Sequence, residues 1–224
     1  MEINRNPKSK DIKPDEEAIL IETAGPQSWQ GRYDWTSVIL SNNVIRIEKE
    51  AFSQCKRLKS IIIPSSVTNI GELAFQDCTS LKSVVIPDSV ISMSRNTFVG
   101  CSGLTSIVVS SSLTSIGQGT FFECRGILSI MIPDSVTSIR TSAFNRCTGL
   151  TSVIIPASVT NIEEYAFYGC TGLISLFIPE SVIEIRFQAF EGCDRLEQVI
   201  APTRFHHLFP GVASLTEPTQ YLLK

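Results

Sequence analysis

The chain has 224 residues, of which 43% are apolar and 18% charged, and its formal net charge is −3. This apolar content supports a buried core and excludes wholesale disorder, and the lack of a basic block argues against nucleic acid as a partner. No apolar run approaches the ~18 residues of a membrane span, so we expect no membrane segment. Positions 1–17 lack the apolar stretch of a signal peptide, which predicts a cytoplasmic protein if Met1 is the native start.

The N-terminal part of the chain precedes the regular pattern described below. Residues 1–14 are polar and mixed in charge, and we predict that they form a mobile tail. Residues 15–34 include the apolar run Ala18–Ile21 and Trp29. This composition predicts an N-terminal cap that covers the start of the following structure.

Residues 35–202 repeat with a constant period. The seven cysteines recur every 23 residues, and seven of the twelve phenylalanines keep the same interval, each three residues before a cysteine. The two columns are Cys55, Cys78, Cys101, Cys124, Cys147, Cys170 and Cys193, and Phe52, Phe75, Phe98, Phe121, Phe144, Phe167 and Phe190. Proline also recurs in phase, and Ser110 replaces it once. Chance cannot plausibly align several columns over seven periods, so one structural unit is repeated.

Each period predicts one strand and several tight turns. A unit of 23 residues without insertions is too short for two packed helices and fits one coil of a solenoid. The segment Leu58–Ile63 alternates like a strand with one buried face, and Pro64 ends it because proline cannot donate to a ladder. We expect Val67 and Ile70 to point back into the coil and Phe75 to lie on a short 3₁₀ or helical turn.

The repeat unit resembles the BspA-type leucine-rich repeat family. The pattern L-x-x-I-x-I-P-x-S-V-T-x-I-x-x-x-A-F-x-x-C appears almost whole from Leu150 to Cys170. The resemblance implies an α/β repeat solenoid, a right-handed coil with a parallel sheet on its concave face and short 3₁₀, helical or turn segments on its convex side. It also implies recognition or adhesion rather than catalysis. Mild departures at Met93-Ser94, Ser110 and Ile127 put local geometry in doubt.

Beyond residue 202 the period fades. Phe205 and Leu208 still occupy the phases of the repeat's valine and isoleucine, but Ala213 stands where phenylalanine is expected. The end of an open stack must be covered. We therefore predict that residues 203–224 form a C-terminal cap.

The polar and reactive columns favour structural roles. The cysteines form no C-x-x-C motif and are odd in number, so we interpret them as small buried hydrophobes, with some stacked disulfides or a metal site as alternatives. The serine column of Ser66, Ser89, Ser112, Ser135, Ser158 and Ser181 is interpreted as satisfying backbone groups. No nucleophile elbow or phosphate-binding glycine motif occurs. We therefore predict no enzyme, no cofactor and no metal.

The outward face of the predicted strand carries the functional hypothesis. One outward column is mostly serine, and the other is apolar at every coil from Ile39 onward. Seven members of the apolar column are the candidate partner-binding residues, which we call the outward stripe: Ile62, Val85, Val108, Met131, Ile154, Phe177 and Ile200. Contiguous exposed apolar surface usually marks an interaction site. Two alternatives are that these residues only favour the sheet, and that the inward and outward faces are reversed.

Two classes of function follow from this sequence. The first is a non-enzymatic scaffold that binds an unknown protein or peptide partner through the concave sheet, with self-association through the outward stripe as a further possibility. The second, which the resemblance permits, is a cell-surface or secreted adhesin or ligand-binding module.

Overall fold

The computed structural model describes residues 19–21, 29–32 and 34–218 of the chain. The predicted mobile tail, 1–14, lies outside the described residues, as does most of the predicted N-terminal cap, 15–34. The described part is a parallel-strand β-solenoid of about seven turns with little helix. The predicted repeat solenoid is therefore confirmed.

The described residues form sixteen short strands and one 3₁₀ helix, Thr203–Leu208. In chain order the strands are β1 (Ile19–Ile21), β2 (Ser37–Leu40), β3 (Arg46–Ile47), β4 (Ser60–Ile62), β5 (Asn69–Ile70), β6 (Ser83–Val85), β7 (Ser92–Met93), β8 (Ser106–Val108), β9 (Ser115–Ile116), β10 (Ser138–Ile139), β11 (Ser152–Ile154), β12 (Asn161–Ile162), β13 (Ser175–Phe177), β14 (Glu184–Ile185), β15 (Gln198–Ile200) and β16 (Ser214–Thr216). Every strand pairing is parallel, as expected when successive coils stack in the same direction.

The predicted strand of each coil belongs to what we call the main sheet. It consists of two parallel sections, β1-β2-β4-β6-β8 and β11-β13-β15-β16. Between the sections lies the coil of residues 129–131, which makes only an isolated bridge from Ser129 to Ser152. The interruption falls where Ser110 and Ile127 depart from the repeat, which agrees with the altered local geometry expected there.

A second ladder of strands runs through the coils and corrects the expectation of one strand per coil. Two-residue strands such as Asn69–Ile70 pair in register in the orders β3-β5-β7 and β9-β10-β12-β14. Ile70 is buried, as predicted, and its ladder partner in the preceding coil is Ile47. These strands form because the backbone N–H and C=O groups after the main strand also need hydrogen-bond partners, and the equivalent residues of the neighbouring coil lie directly beside them.

The core consists of columns that repeat from coil to coil. The phenylalanine column is buried throughout, and successive rings lie 5.0–5.9 Å apart between centroids and 3–20° from parallel. Large apolar side chains stacked in this way contribute most of the stabilising burial of a solenoid. Phe187, out of phase with the column, is 65% exposed.

Polar side chains inside the coils satisfy backbone carbonyls. The Ser158 hydroxyl donates to the carbonyl of Val136, 22 residues earlier, at 2.6 Å, and four other serines of the column make the equivalent bond. In the remaining coil Ser110 takes over this role by donating to the carbonyl of Val90. The structural interpretation of the serine column is therefore confirmed.

The seven cysteines are buried and unpaired. Each thiol donates to a backbone carbonyl 26 residues earlier, as Cys147 does to Phe121 at 3.1 Å. Burial raises the pKa of the Cys147 thiol from its ordinary 9.0 to about 12, because a thiolate would be desolvated there. The interpretation as small buried hydrophobes holds, since no disulfide joins these cysteines and they form no group among the described residues that could hold a metal ion.

The C-terminal end departs from the period. Gln198 pairs with Ser175, one full period earlier, whereas Ser214 pairs with Gln198 across a shorter stretch of chain. The last coil is therefore seven residues shorter than the one before it. The chain from Pro202 instead forms the 3₁₀ helix, turns near Gly211 and returns to the main sheet as β16.

Candidate functional site

The outward stripe lies on the solvent face of the main sheet. Strands such as β4 alternate exposed, buried and exposed residues, and the apolar outward residue follows the buried one. Five members of the stripe are exposed: Ile62, Val85, Val108, Met131 and Ile154. Phe177 and Ile200 are half-buried. The consensus isoleucines that should point inward, such as Ile61 and Ile63, are buried, so the alternative of reversed faces is wrong.

Parallel register places the stripe residues side by side. Ile154 lies opposite Phe177, and Phe177 lies opposite Ile200. Val108 likewise lies opposite Val85. Neighbouring strands are about 4.8 Å apart, so these side chains touch or nearly touch and form a continuous apolar surface. At β16 the column ends, because Thr216 lies opposite Ile200.

The C-terminal half of the stripe forms a hollow. A cavity of about 560 Å³ is lined by Ile154, Phe177 and Ile200, by serines of the neighbouring outward column, and by Pro218. Pro218 follows β16 and is buried, and it forms one wall of this cavity. The half-burial of Phe177 and Ile200 agrees with their place in this hollow. An apolar hollow with hydroxyls at its margin suits an apolar side chain of a partner.

Two of the ion pairs between coils lie outside the main sheet. Ion pairs between coils join Arg95 to Glu72 at 2.9 Å and Arg146 to Glu123 at 3.1 Å. In sequence Arg95 and Glu72 fall between the second ladder and the phenylalanine column, whereas Arg146 and Glu123 fall between the phenylalanine and cysteine columns, so neither pair lies on the main sheet. Such exposed pairs contribute little to stability, but their placement leaves the outward stripe neutral.

Sequence reasoning missed a second set of exposed apolar residues. Ile45, Ile91 and Ile183 share one phase of the repeat and are all exposed. Threonine occupies this phase in the other coils, for example Thr68 and Thr137, so the set is interrupted. The sequence sign of this set is an apolar residue directly before some strands of the second ladder. These apolar residues do not occur in successive coils of the described part of the chain, whereas those of the outward stripe do.

Groups suited to catalysis or metal binding do not come together in the described residues. No cluster of three or more histidine, cysteine, aspartate or glutamate side chains could hold a metal ion there. His206 lies in the 3₁₀ helix, and its Nε2 is 2.8 Å from the carbonyl oxygen of Ala201. The same part of the chain contains no helix with the length and apolar character of a membrane span.

Solved structures with the same architecture are bacterial leucine-rich repeat proteins. A leucine-rich repeat protein from Bacteroides ovatus ATCC 8483 is 26% identical with a TM-score of 0.71, covering 88% of this chain and 57% of that protein. The leucine rich repeat protein of T. pallidum is 27% identical with a TM-score of 0.64, covering 68% of this chain and 72% of that one. The present chain thus spans little more than half the length of the B. ovatus protein.

A third similar structure is that of a cell surface protein. A leucine rich cell surface protein from Faecalibacterium prausnitzii A2-165 is 23% identical with a TM-score of 0.48, covering 90% of this chain and 63% of that one. A likeness at this level supports no conclusion about where the present chain resides. The predicted cytoplasmic location therefore gains no support from the comparisons, and it stays a prediction.

Fold and sequence together define a leucine-rich repeat solenoid protein. No curated protein is similar enough to the chain to count as a match. The family described as BspA type leucine rich repeat region, in six copies, matches residues 22–151 and 141–216. The chain belongs to this BspA-type leucine-rich repeat family, as its repeat unit predicted.

Proposed function

We propose that the chain is a non-enzymatic scaffold that binds a protein or peptide partner through the outward stripe. The single observation that carries this proposal is the apolar residue at the same outward position of every successive coil from Ile62 to Ile200, including the coil of residues 129–131 where the main sheet is interrupted. Five of these residues are exposed in successive coils, and Met131 and Ile154 are 85% and 70% exposed. A sheet half-buried over a core usually alternates apolar and polar faces, so an apolar outer column needs a reason of its own.

The C-terminal hollow is the strongest part of this surface. Hot spots of binding are usually few, large and placed in pockets. Phe177 is the largest side chain of the stripe, and with Ile154 and Ile200 it lines the 560 Å³ cavity. We propose that an apolar side chain of the partner enters this hollow, while the exposed thioether of Met131 adapts to the partner further along the stripe.

The test compares binding and stability on the same variants. Peptides selected from a random display library against the immobilised chain serve as probes. The double substitution Met131→Ser and Phe177→Ser should weaken binding of the selected peptides by more than fivefold, because loss of a central contact costs more than ~1 kcal/mol of binding free energy. The matched control is Ile45→Ser with Ile183→Ser, which removes two exposed apolar side chains outside the stripe.

The rival explanation is that the stripe only supports the sheet. On that account, the Met131 and Phe177 double variant would melt at a markedly lower temperature, while its folded fraction would bind the peptides as tightly as the unchanged chain. That result would exclude the stripe as the binding surface. Equal weakening by the Ile45 and Ile183 control would show that binding is not specific to the stripe.

The adhesin alternative uses the same surface in a different location. Protease treatment of intact source cells, followed by immunodetection of the chain, distinguishes the two. A scaffold inside the cell survives the treatment, whereas a surface adhesin is degraded. Either result leaves the role of the outward stripe to be decided by the peptide measurement.

A further inference from the structure

The turns around the phenylalanine column hold the coils together by a regular set of hydrogen bonds. We call these seven turns the AF turns: residues 50–54, 73–77, 96–100, 119–123, 142–146, 165–169 and 188–192. In each of the first six, three alternate backbone N–H groups donate to carbonyls of the next coil. Tyr165 donates to Phe187 at 3.2 Å, and Phe167 donates to Ala189 at 2.7 Å.

The seventh AF turn has the same three donors and no next coil. Among the described residues, nothing accepts a hydrogen bond from the backbone N–H groups of Gln188, Phe190 or Gly192. Phe190 is nearly buried, at 7% exposure. Backbone donors at the edge of a folded core are normally paired, because leaving them unpaired costs free energy. A row of three such donors at one edge offers main-chain hydrogen bonds to an incoming chain.

The short last coil explains why this edge is open. The last coil is seven residues short, which is enough to omit the five-residue AF turn that a full coil would add. A cavity of about 610 Å³ occupies the place, between the seventh AF turn on one side and residues 207–212 on the other. We call it the C-terminal notch. Its lining includes Phe187 and Leu208, which are 65% and 37% exposed.

The neighbouring residues 207–212 fill the notch only in part. Phe209 approaches Phe190 with ring centroids 5.5 Å apart, but the rings are tilted by 54°. Inside the stack the equivalent ring of Phe167 lies 5.1 Å from Phe190 and within 3° of parallel. The side of Phe190 that faces the notch is thus covered less completely than the side that faces the stack.

We propose that the C-terminal notch binds an extended segment of another polypeptide, which completes the last coil in trans. The contact continues the interface already present between the coils. Three alternate main-chain carbonyls of the segment accept from Gln188, Phe190 and Gly192, in the manner of strand addition to a sheet edge. An apolar side chain, preceded by a small residue as in the Ala-Phe pair of the repeat, enters the notch beside Phe209.

Charge at the rim favours a basic segment. Glu191 and Asp194 are exposed and form no ion pair within the described residues. Among the residues that line the notch, the arginine is Arg186, and it is already paired with Glu164 at 3.3 Å and Glu184 at 3.2 Å. Arg195 follows Asp194 in the chain but does not line the notch. The lining of the notch therefore has more free carboxylates than free cations, which favours a cationic peptide.

The probe is a capped, fluorescently labelled heptapeptide copied from residues 140–146, Arg-Thr-Ser-Ala-Phe-Asn-Arg. In the intact chain this sequence presents the carbonyls of Thr141, Ala143 and Asn145 to the preceding coil, and it carries two arginines. Fluorescence anisotropy measures its binding to the full chain. We expect saturable binding that weakens at least tenfold when the peptide's phenylalanine is changed to serine.

Two protein variants locate the bound peptide. Leu208→Arg places a cation in the notch and should weaken peptide binding at least tenfold. Ile45→Arg, at an exposed position in the first coil, should leave peptide binding unchanged. Inserting a copy of residues 141–147 after Phe209 restores the full period of the last coil. This insertion fills the notch in cis, so it should abolish peptide binding and raise the melting temperature.

Amide hydrogen exchange tests the edge directly. In the chain alone the amides of Gln188, Phe190 and Gly192 should exchange at least tenfold faster than those of Tyr165, Phe167 and Gly169, and the peptide should slow them. The proposal is overturned if these three amides are already protected without peptide. It is overturned equally if the peptide does not bind, or binds the Leu208→Arg and insertion variants with unchanged affinity.

Discussion

The inner columns and the outward stripe follow the same period but tolerate different variation. Phenylalanine occupies the inner position in seven successive coils, and every one of these rings is buried against its neighbours. Along the outward stripe, isoleucine, valine, methionine and phenylalanine replace one another. An interior with the packing density of a crystal requires one shape at one place, whereas the solvent face requires only an apolar side chain. The difference separates what builds the stack from what remains free for binding.

Alkaline pH should destabilise the inner columns, and this is the largest effect on stability that we expect. Burial raises the pKa of Cys55 and Cys147 to about 12 from the ordinary 9.0, and it also raises that of Cys78, Cys101 and Cys124. The unfolded chain therefore loses thiol protons near pH 9 while the folded chain keeps them, so stability falls as pH rises from about 9 to 12.

Denaturant titrations between pH 8 and pH 12 measure this loss of stability. The variant Cys147→Ala, with one buried thiol fewer, should lose less stability over the same range. A free energy of unfolding that stays constant above pH 9 would contradict the interior placement of the thiols. In a separate check, all seven thiols should react with a thiol reagent after unfolding without reductant, and most should be protected in the folded chain.

Removing one inner ring should lower the free energy of unfolding more than removing one outer ring. Phe144→Ala removes a fully buried ring from a central coil and should lower the free energy of unfolding by about 3–5 kcal/mol. Phe187→Ala, which removes an exposed ring outside the column, should change it by less than ~1 kcal/mol. Thermal and denaturant unfolding of both variants measures the contrast, and equal losses would show that the register of the repeat is wrong.

The smallest expected difference in stability is between the serine column that bonds to backbone carbonyls and the serine column on the outward face. Ser158→Ala leaves the buried carbonyl of Val136 without its hydroxyl partner and should cost about 1–2 kcal/mol. Ser152→Ala, on the outward face of β11, should be neutral within ~0.5 kcal/mol. Chemical denaturation resolves both values. A neutral Ser158 variant would mean that solvent replaces the hydroxyl and that the column is not structural.

Most of the solenoid could be predicted because the period imposes one environment on each phase. The buried faces of Leu58–Ile63, the burial of Val67 and Ile70, and the exposure of the outward stripe all follow from a single register. The binding role of the stripe stays a prediction, as do the domain boundaries, because neither is a matter of register. The second ladder was missed because a strand of two residues has no alternation to detect.

Both ends were harder to predict because they leave the period. Trp29 lies in the phenylalanine phase. Its backbone N–H donates to the carbonyl of Ala51, as the backbone N–H of Phe52 does to the carbonyl of Ala74 one coil later. It was not recognised because Arg32 follows it in place of cysteine. The pattern of Ser214 to Pro218 repeats the serine-to-proline spacing of the main strand, but it comes less than a full period after Gln198. That shift, a sequence sign of the C-terminal notch, is visible once the pairing is known.

The interruption of the main sheet at residues 129–131 sets the mechanics of the rod. The second ladder is also broken nearby, since Ser92–Met93 and Ser115–Ile116 do not pair. The phenylalanine rings are furthest apart here, 5.9 Å between Phe98 and Phe121, and the next pair of rings has the largest tilt, 20°. Because fewer backbone hydrogen bonds cross this level, we expect the bending stiffness of the solenoid to be lowest there. Bending at this level would change the curvature of the surface on which Met131 lies.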